Sequence, residues 1–473
     1  MRRERLVVGR MPALISCIML AACTLGPDYH QPATDLPKTL QNISETAQKD
    51  WWTNASVRPL AQLQAQALTG NLDLQIARSR VAAAAAIRQA TAAASFPMVM
   101  TDTSYSRAAL STAGSGQTIN RLLGIPDQAS NPSSPVGFNL FSAGAAASWE
   151  ANLWGKQTRE REIATAGEQA TQARQMIVSL GVKAEVARTY IEWLEKTDEI
   201  ALLQSSLHLA SEKQILTSEL ARKGMIRNDL ILLQQNRVRQ KQGRMSAAMT
   251  DRTLLQRALS VLCTGRPDSD LRPLHEQSRW PIPIELPYSI TTDLLKNRPD
   301  IVAADAKLHA ATAAIGIAKA SFYPTLTLSG VFSVDAMSLS SFGWAAHNFA
   351  LGPALRVPVF TGGRLSAELA LKKVNQKEAA ISYQQVVNNA WHEVDDTLDR
   401  LHQVDADLKW ITENNIAREK IERMAKEQAV RGWISRKDLL SIREDSIETE
   451  IIKTQQRSLL LLEYVAFRRS IGL

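Results

Sequence analysis

Aromatic residues are scarce in this 473-residue chain, at 5%. Proline is missing altogether from Val136 to Arg266 and from Val359 to the last residue, Leu473. Proline breaks helix interiors, so these two stretches are where very long helices can run. Ala, Leu, Gln, Glu, Lys and Arg dominate instead, the balance of long helices and coiled coils. Three cysteines are present, and two of them lie near the start, at Cys17 and Cys23. With Cys17 lost and Cys23 modified as described below, Cys263 alone remains and no intramolecular disulfide can form, so packing and assembly must hold the fold. A dense basic block with interleaved aromatics is also missing, which argues against nucleic-acid binding. The seven histidines (His30, His208, His275, His309, His347, His392, His402) show no metal-ligand spacing. With no Gly-rich phosphate loop and no nucleophile elbow, neither an enzyme nor a cofactor is expected.

Residues 1–22 read as a targeting segment. Arg2, Arg3, Arg5 and Arg10 precede a short apolar run, Met11–Leu20, too short to span a bilayer as a mature helix. Leu20-Ala21-Ala22-Cys23 follows, a small-residue site running directly into Cys, as in a bacterial lipobox. The expectation is cleavage before Cys23, with lipid on its thiol and new amine; ordinary signal cleavage beside an incidental Cys is the alternative. Several acyl chains would anchor the protein firmly, because one chain binds only marginally. Thr24, not Asp, follows Cys23, which favours the outer membrane. Loss of residues 1–22 removes four Arg and one Glu, taking the net charge from +8 to +5.

The chain repeats itself. Asn71 and Asn297 each stand 24 residues before a Ser-Phe, at Ser95 and Ser321, and Ala-rich helical sequence fills both intervals. Glu185-Val186 has a counterpart 208 residues on in Glu393-Val394, as Gly224 has in Gly432. The Ser-Phe copies are 226 apart, so the first copy carries about 18 extra residues. They fall in Arg107–Gly137, which is rich in Gly, Ser, Pro and Asn and reads as loop. The expected segments are 23–69 as an N-terminal periplasmic piece, 70–266 as the first repeat, 267–290 as a linker and 291–473 as the second repeat. Each repeat reads helix, strand, loop, strand, long helix, sharp break, helix.

Strands are expected at about 96–106, 139–153, 322–335 and 347–360, from alternation of apolar and polar side chains. Leu326, Leu328, Phe332 and Val334 oppose Thr325, Thr327, Ser329 and Ser333; Leu351, Pro353 and Leu355 oppose Gly352, Ala354 and Arg356. The long helix from about Lys156 to Ala221 carries a seam at Leu180, Ala184, Ala187, Ile191 and Leu194, which resumes at Ile200 in a shifted phase. Gly224 and Gly432 mark turns, and return helices start at Asp229 and Asp438.

Four strands leave two open edges. In a membrane each unpaired backbone group would cost several kcal/mol, and closed spanning barrels begin at about eight strands. One chain therefore cannot close a transmembrane barrel; two would supply eight strands and three would supply twelve. A soluble β-sandwich packed on one face is the alternative.

Taken together, Cys23-Thr-Leu-Gly-Pro-Asp-Tyr29, Trp51-Trp52, Leu68–Ala77, "WEANLWGK" (Trp149–Lys156), "NRPDIVAADAKL" (Asn297–Leu308), "ASFYPTLTLSG" and "VPVFTGGR" (Val357–Arg364) identify a resemblance. The chain resembles the TolC-like outer membrane factor family, of the NodT/OprM efflux-lipoprotein kind; Asn152 stands where that pattern has Asp. The resemblance implies a mixed α-helical and β-barrel membrane fold. Three chains would build a twelve-stranded outer-membrane barrel, four strands each, continued by a long periplasmic α-helical barrel. It implies the exit duct of a tripartite pump, working with a periplasmic adaptor and an inner-membrane transporter of the RND type, and no cofactor. Gly224, Asp229, Gly432, Ser435 and Asp438 would lie at the periplasmic turns that gate the duct and meet the adaptor, with helix capping as the competing role for the two Asp residues. Arg356 would face the lumen, or else pair with a neighbouring strand. A duct for peptide secretion through an ABC-type exporter, and a non-conducting coiled-coil envelope lipoprotein, stay open as rival functions.

Overall fold

A computed structural model describes residues 24–32, 58–110, 136–275, 280 and 298–472. Cys23, Trp51-Trp52, Asn297 and the centre of the Arg107–Gly137 loop lie outside the described residues. The elements in order are α1 (Arg58–Gly70), α2 (Leu72–Ala93), β1 (Met98–Leu110), β2 (Val136–Ala151), α3 (Lys156–Arg222) and α4 (Asp229–Thr264). They continue with α5 (Pro299–Ala320), β3 (Thr325–Ala336), β4 (His347–Arg356), α6 (Arg364–Val430) and α7 (Arg436–Ser470). Helices α3 and α6 are 67 residues each, about 100 Å at 1.5 Å per residue, and both fill proline-free sequence.

The chain forms two compact units, and each draws on both halves of the sequence repeat. The described residues of the first lie within 24–30, 84–110, 136–168 and Lys307–Ala379. At its centre is one antiparallel sheet in the order β1-β2-β3-β4, so the two strands of each copy form a hairpin and β2 joins β3 across the copies. Strand β4 stops at Arg356, four residues before the expected end. Pro358 has no N–H to continue a ladder and restricts Val357 before it. Within β4, Pro353 stands opposite Leu328. The first hairpin is longer than expected, with β1 running on to Leu110 and β2 starting at Val136.

Both junctions, Ser95-Phe-Pro97 and Ser321-Phe-Tyr-Pro324, are held by tryptophans of the "WEANLWGK" segment. Trp149 Nε1 donates to the Ser95 carbonyl at 2.8 Å, and Trp154 Nε1 donates to the Pro324 carbonyl at 2.7 Å. Asn152 fits its place: its Oδ1 accepts from the Gln157 amide at 3.1 Å and its Nδ2 donates to Thr158 Oγ1 at 2.9 Å.

The second unit comprises Gln31–Ala83, Gln169–Ala306 and Ala380–Leu473, and among its described residues the regular structure is helical. In α6, Tyr383, Val387, Ala390, Val394, Thr397, Leu401 and Val404 are all buried, stepping by 4 and 3 as a coiled-coil seam does. In α3 the expected change of phase is visible in the burial. Asp198 and Ala201, which an unbroken seam would cover, are exposed, while Leu203, Ser206, Ala210, Lys213 and Thr217 are buried. Leu203 packs with Ala248 of α4 and Ile451 of α7. Asn71 caps α2, its Oδ1 accepting from the Leu74 amide at 3.1 Å. Arg298, nearly buried, donates to Asp300 Oδ2 at 2.9 Å, to Glu393 Oε2 at 2.7 Å and to the Ser470 carbonyl, tying the start of α5 to α6 and to the end of α7. Helix α5 is long and apolar enough to cross a membrane, but just over half of its apolar window is covered by protein, as in a core helix.

Candidate functional site

Three places in the fold concentrate features that packing within one chain leaves unexplained: the faces and edges of the sheet, the two helix turns, and the peptide that follows Cys23.

The sheet register sorts side chains into two faces. Val99↔Ala147, Ala147↔Gly330 and Gly330↔Leu351 align on one, with Trp149↔Leu328, Leu326↔Leu355, Phe332↔Phe349 and Tyr105↔Phe141. This apolar face is open: Leu351 is 86% exposed, Phe349 78% and Val99 65%. Its aromatic residues lie at three levels, with Phe332 and Phe349 in the row of Ala145, midway between Phe141 and Trp149. Trp149 lies at the helix end, and just beyond the strand ends Trp154 and Tyr323 meet at 4.7 Å with their rings tilted. Tyr105 and Phe141 meet at 4.9 Å at the hairpin end, and Phe332 meets Trp344 at 5.8 Å. From Phe141 to Trp149 is eight residues, about 26 Å of strand. An exposed apolar face that alternates with a polar one is the lipid-facing pattern of outer-membrane strands.

The opposite face carries Asp102, Ser104, Ser142, Ser148, Glu150, Thr325, Thr327, Ser329, Ser333, Asp335, Asn348 and Arg356. Asp335 accepts from Ser142 at 2.5 Å, Ser333 at 2.6 Å and Asn348 at 2.9 Å, crosslinking three strands. Arg356, paired in register with Thr325, is exposed on this polar face, as expected from its alternation. No ion pair to a neighbouring strand engages it among the described residues. Strands β1 and β4 each leave one edge without a partner among the described residues.

The two helix turns are built alike. Gly224 has φ +70° and Gly432 φ +74°, left-handed conformations that favour glycine. The Met225 amide donates to the Leu220 carbonyl and Trp433 to that of Gln428, both at 2.9 Å. Gly224 donates to Ala221 at 2.9 Å and Gly432 to Ala429 at 3.1 Å, so both helices end in a Schellman motif. The restarts differ. Ser435 caps α7, accepting from the Asp438 amide at 3.1 Å and donating its hydroxyl to Asp438 Oδ2 at 2.6 Å. Capping therefore holds for Ser435 with Asp438. Asp229 makes no such cap: Asn228 occupies the N-cap position without a side-chain bond, and Asp229 is gripped by Arg227, Nε to Oδ1 at 3.0 Å. That hydrogen bond holds the Asp229 carboxyl below its ordinary range. No hydrogen bond or ion pair among the described residues joins Arg222–Leu230 to Val430–Leu440.

Two constellations escape a linear reading. About ten residues before the first turn, Lys213 is buried and donates to Glu444 Oε2 at 3.0 Å and Ser441 Oγ at 2.7 Å of α7. Lys241 of α4 approaches the same carboxylate at 3.8 Å and donates to Ser206 at 2.6 Å. The helical period of Ser206, Lys213 and Thr217 was the available signal. The second constellation holds the peptide after Cys23. Arg159, 5% exposed in its side chain, donates to Asp28 Oδ1 at 2.7 Å, to Glu162 Oε2 at 2.8 Å and to the Leu25 carbonyl at 3.3 Å. Glu162 meets His309 Nε2 at 2.6 Å, and His309 stacks on Tyr29 at 4.5 Å. Gly26 has φ +104°, and a Cβ on it would sit 2.5 Å from Gly316 Cα. Burial by itself would raise the Glu162 carboxyl; the hydrogen bonds from Arg159 and His309 outweigh it and hold the group below its usual range.

Residues 63–263 and 290–472 match the family described as outer membrane efflux protein. The chain belongs to that family. Among curated relatives it is similar to nodulation protein T of Rhizobium leguminosarum bv. viciae, 26% identical over 395 residues, 82% of this chain and 78% of that one. It is 26% identical over 409 residues to the cation efflux system protein CusC of Escherichia coli K12, covering 81% of each. It is 28% identical over 406 residues to the toluene efflux pump outer membrane protein TtgI of Pseudomonas putida, again 81% of each. The solved Campylobacter jejuni CmeC outer membrane channel superposes with a TM-score of 0.79 at 20% identity, over 95% of both chains, and shares the fold. The chain is thus an outer-membrane efflux protein by family.

Proposed function

We propose that three copies of this chain close a twelve-stranded barrel and form the passive exit duct of a tripartite efflux pump. The observation that carries this is the sheet: four strands whose two outer edges have no partner among the described residues, an open apolar face that carries aromatics, and a more polar face opposite. A membrane does not tolerate such edges, and closure by further copies of the chain satisfies every strand. On this reading Arg356 and the Asp335 cluster line a wet lumen. Lipid on Cys23 adds an anchor beside the barrel, and the N-terminal segment is already held there through Arg159 and Gly26.

The α-helical barrel continues the duct into the periplasm. The turns at Gly224 and Gly432, with Asp229, Ser435 and Asp438, form its gate and meet the adaptor, while an RND-type transporter in the inner membrane supplies energy and chooses cargo. Relatives named for cation efflux, toluene efflux and nodulation stand at nearly the same identity to this chain. That supports a duct that selects little among small compounds.

Planar-bilayer recording on purified protein tests the reading. Discrete, long-lived channels are expected, with larger or more frequent openings in a variant whose second turn is loosened (Ser435→Ala with Arg436→Ala). Silence from both proteins, each shown to be folded, would leave a non-conducting envelope lipoprotein as the better account.

A further inference from the structure

We propose that Arg356, on the open edge of β4, forms an ion pair with Asp102 on the open edge of β1 in the neighbouring subunit, and that this pair sets the register in which subunits join. It rests on closure of the sheet by further copies of the chain, and it adds which residues meet at the seam.

The internal repeat supplies the template. An offset of 208 carries α3, Lys156–Arg222, onto α6, Arg364–Val430, at both ends. The same offset carries Gly155, φ +73°, onto Gly363, φ +84°, the left-handed residues just ahead of those helices. It therefore lays β2 on β4 and Ser148 on Arg356. An offset of 227, from Pro97 to Pro324, lays β1 on β3 and Asp102 on Ser329. The two hairpins check both offsets: Met98↔Ser148 becomes Thr325↔Arg356, and each of these pairs is present in the sheet. The two repeats meet inside the chain where β2 pairs with β3, and there Ser148 stands opposite Ser329. Applied to the two free edges, that junction sets Arg356 opposite Asp102 of the neighbouring subunit.

The seam so formed joins unlike charges. Asp102 and Arg356 are both exposed on the more polar face, and neither makes a side-chain hydrogen bond or ion pair among the described residues. β4 runs towards the helix end of the sheet and β1 away from it, so the new pairing is antiparallel like the other three. In this register Ala354 meets Ser104 on the more polar face and Leu355 meets Thr103 on the other, so the faces agree across the seam. A slip of one residue would turn the apolar face of one subunit inwards. A slip of two keeps the faces but sets Arg356 opposite Met100 or Ser104. An exposed ion pair contributes little energy, yet it separates these registers, because only one places the two charges directly opposite. Pro353 has no N–H, which removes at most one bond from the seam.

Cysteine cross-linking in native membranes tests the register. Opposed residues of an antiparallel pair have Cα atoms about 4.5–5.5 Å apart, within disulfide reach, whereas diagonal neighbours are roughly 7–8 Å apart and outside it. Within one chain the two positions lie on opposite edges of the sheet, three strand spacings or about 14 Å apart, so a disulfide between them joins two subunits. After mild oxidation, Asp102→Cys/Arg356→Cys is expected to run mainly as a covalent trimer on a non-reducing gel. Met100→Cys/Arg356→Cys, Ser104→Cys/Arg356→Cys and the single variants should stay mainly monomeric; Cys263 is buried and common to every arm. Stronger cross-linking of either shifted pair would overturn the register. So would the absence of cross-links in every arm when the wild type is oligomeric by mass, which would leave closure standing with a different seam. A monomeric wild type would overturn closure and seam together. Should the double-cysteine chain not assemble, charge reversal carries the test. Asp102→Arg and Arg356→Asp are each expected to lower the temperature at which the oligomer dissociates, and the two combined to restore it. A combined variant no more stable than the single ones would overturn the ion pair.

Discussion

At the scale of residues, the contacts that tie distant parts of the sequence together include several buried charges. Arg159 is the clearest case: one guanidinium with a nearly covered side chain serves Asp28, Glu162 and the Leu25 carbonyl, and so holds the peptide that follows Cys23. Arg159→Ala is expected to destabilise that docking by about 2 kcal/mol, the scale of charge-assisted hydrogen bonds. It should be read as faster hydrogen exchange at the Leu25 amide, whose partner is the Trp154 carbonyl. Glu162 gives the same contact a pH dependence. Its carboxyl is held below the ordinary 4.5, so its contribution is fully present above that pH and is lost as acid protonates the group. Protection of Leu25 should fall on acidification below about pH 4.5 in the wild type and be largely flat in Glu162→Gln. None of this was legible beforehand. Asp28 and Arg159 are 131 residues apart, and "TLGPDY" marked a resemblance without naming a partner.

At the scale of elements, legibility followed periodicity. Strands with clean alternation were placed within a few residues, and the errors fell at their ends, where Pro358 and the Gly/Ser-rich loop decide. Helix α3 was read almost to the residue because proline is missing there and Gly224 ends it. Its polar seam was not read, because a Lys in a heptad position announces neither its burial nor a partner 231 residues away. That pair gives an element-scale prediction. Lys213→Met leaves the Glu444 carboxylate with Lys241 as its only cation at 3.8 Å and should cost about 2 kcal/mol in thermal or denaturant unfolding, whereas Lys213→Met/Glu444→Leu should recover most of the loss. The unlike helix restarts give another. Ser435→Ala should cost about 1 kcal/mol through the lost cap of α7, and Asn228→Ala much less, because Asn228 makes no side-chain cap. Hydrogen exchange in the first turns of α7 and α4 separates the two.

At the scale of the whole molecule, the internal repeat was the most informative sequence feature. It doubles a hairpin, and two hairpins make a sheet that one chain leaves open. The same incompleteness was visible in the sequence as four alternating segments, too few for a spanning barrel. The number of copies was not visible, since two or three would both close the edges, and only the resemblance favours three. The mass of the detergent-solubilised protein decides the matter most directly. Light scattering or native mass spectrometry, corrected for bound detergent and lipid, should return three chains, and a variant with Pro introduced at Thr103 of β1 should return fewer. A wild type that is monomeric in every mild detergent would contradict the account, because a lone four-stranded sheet with open edges has no place in a membrane.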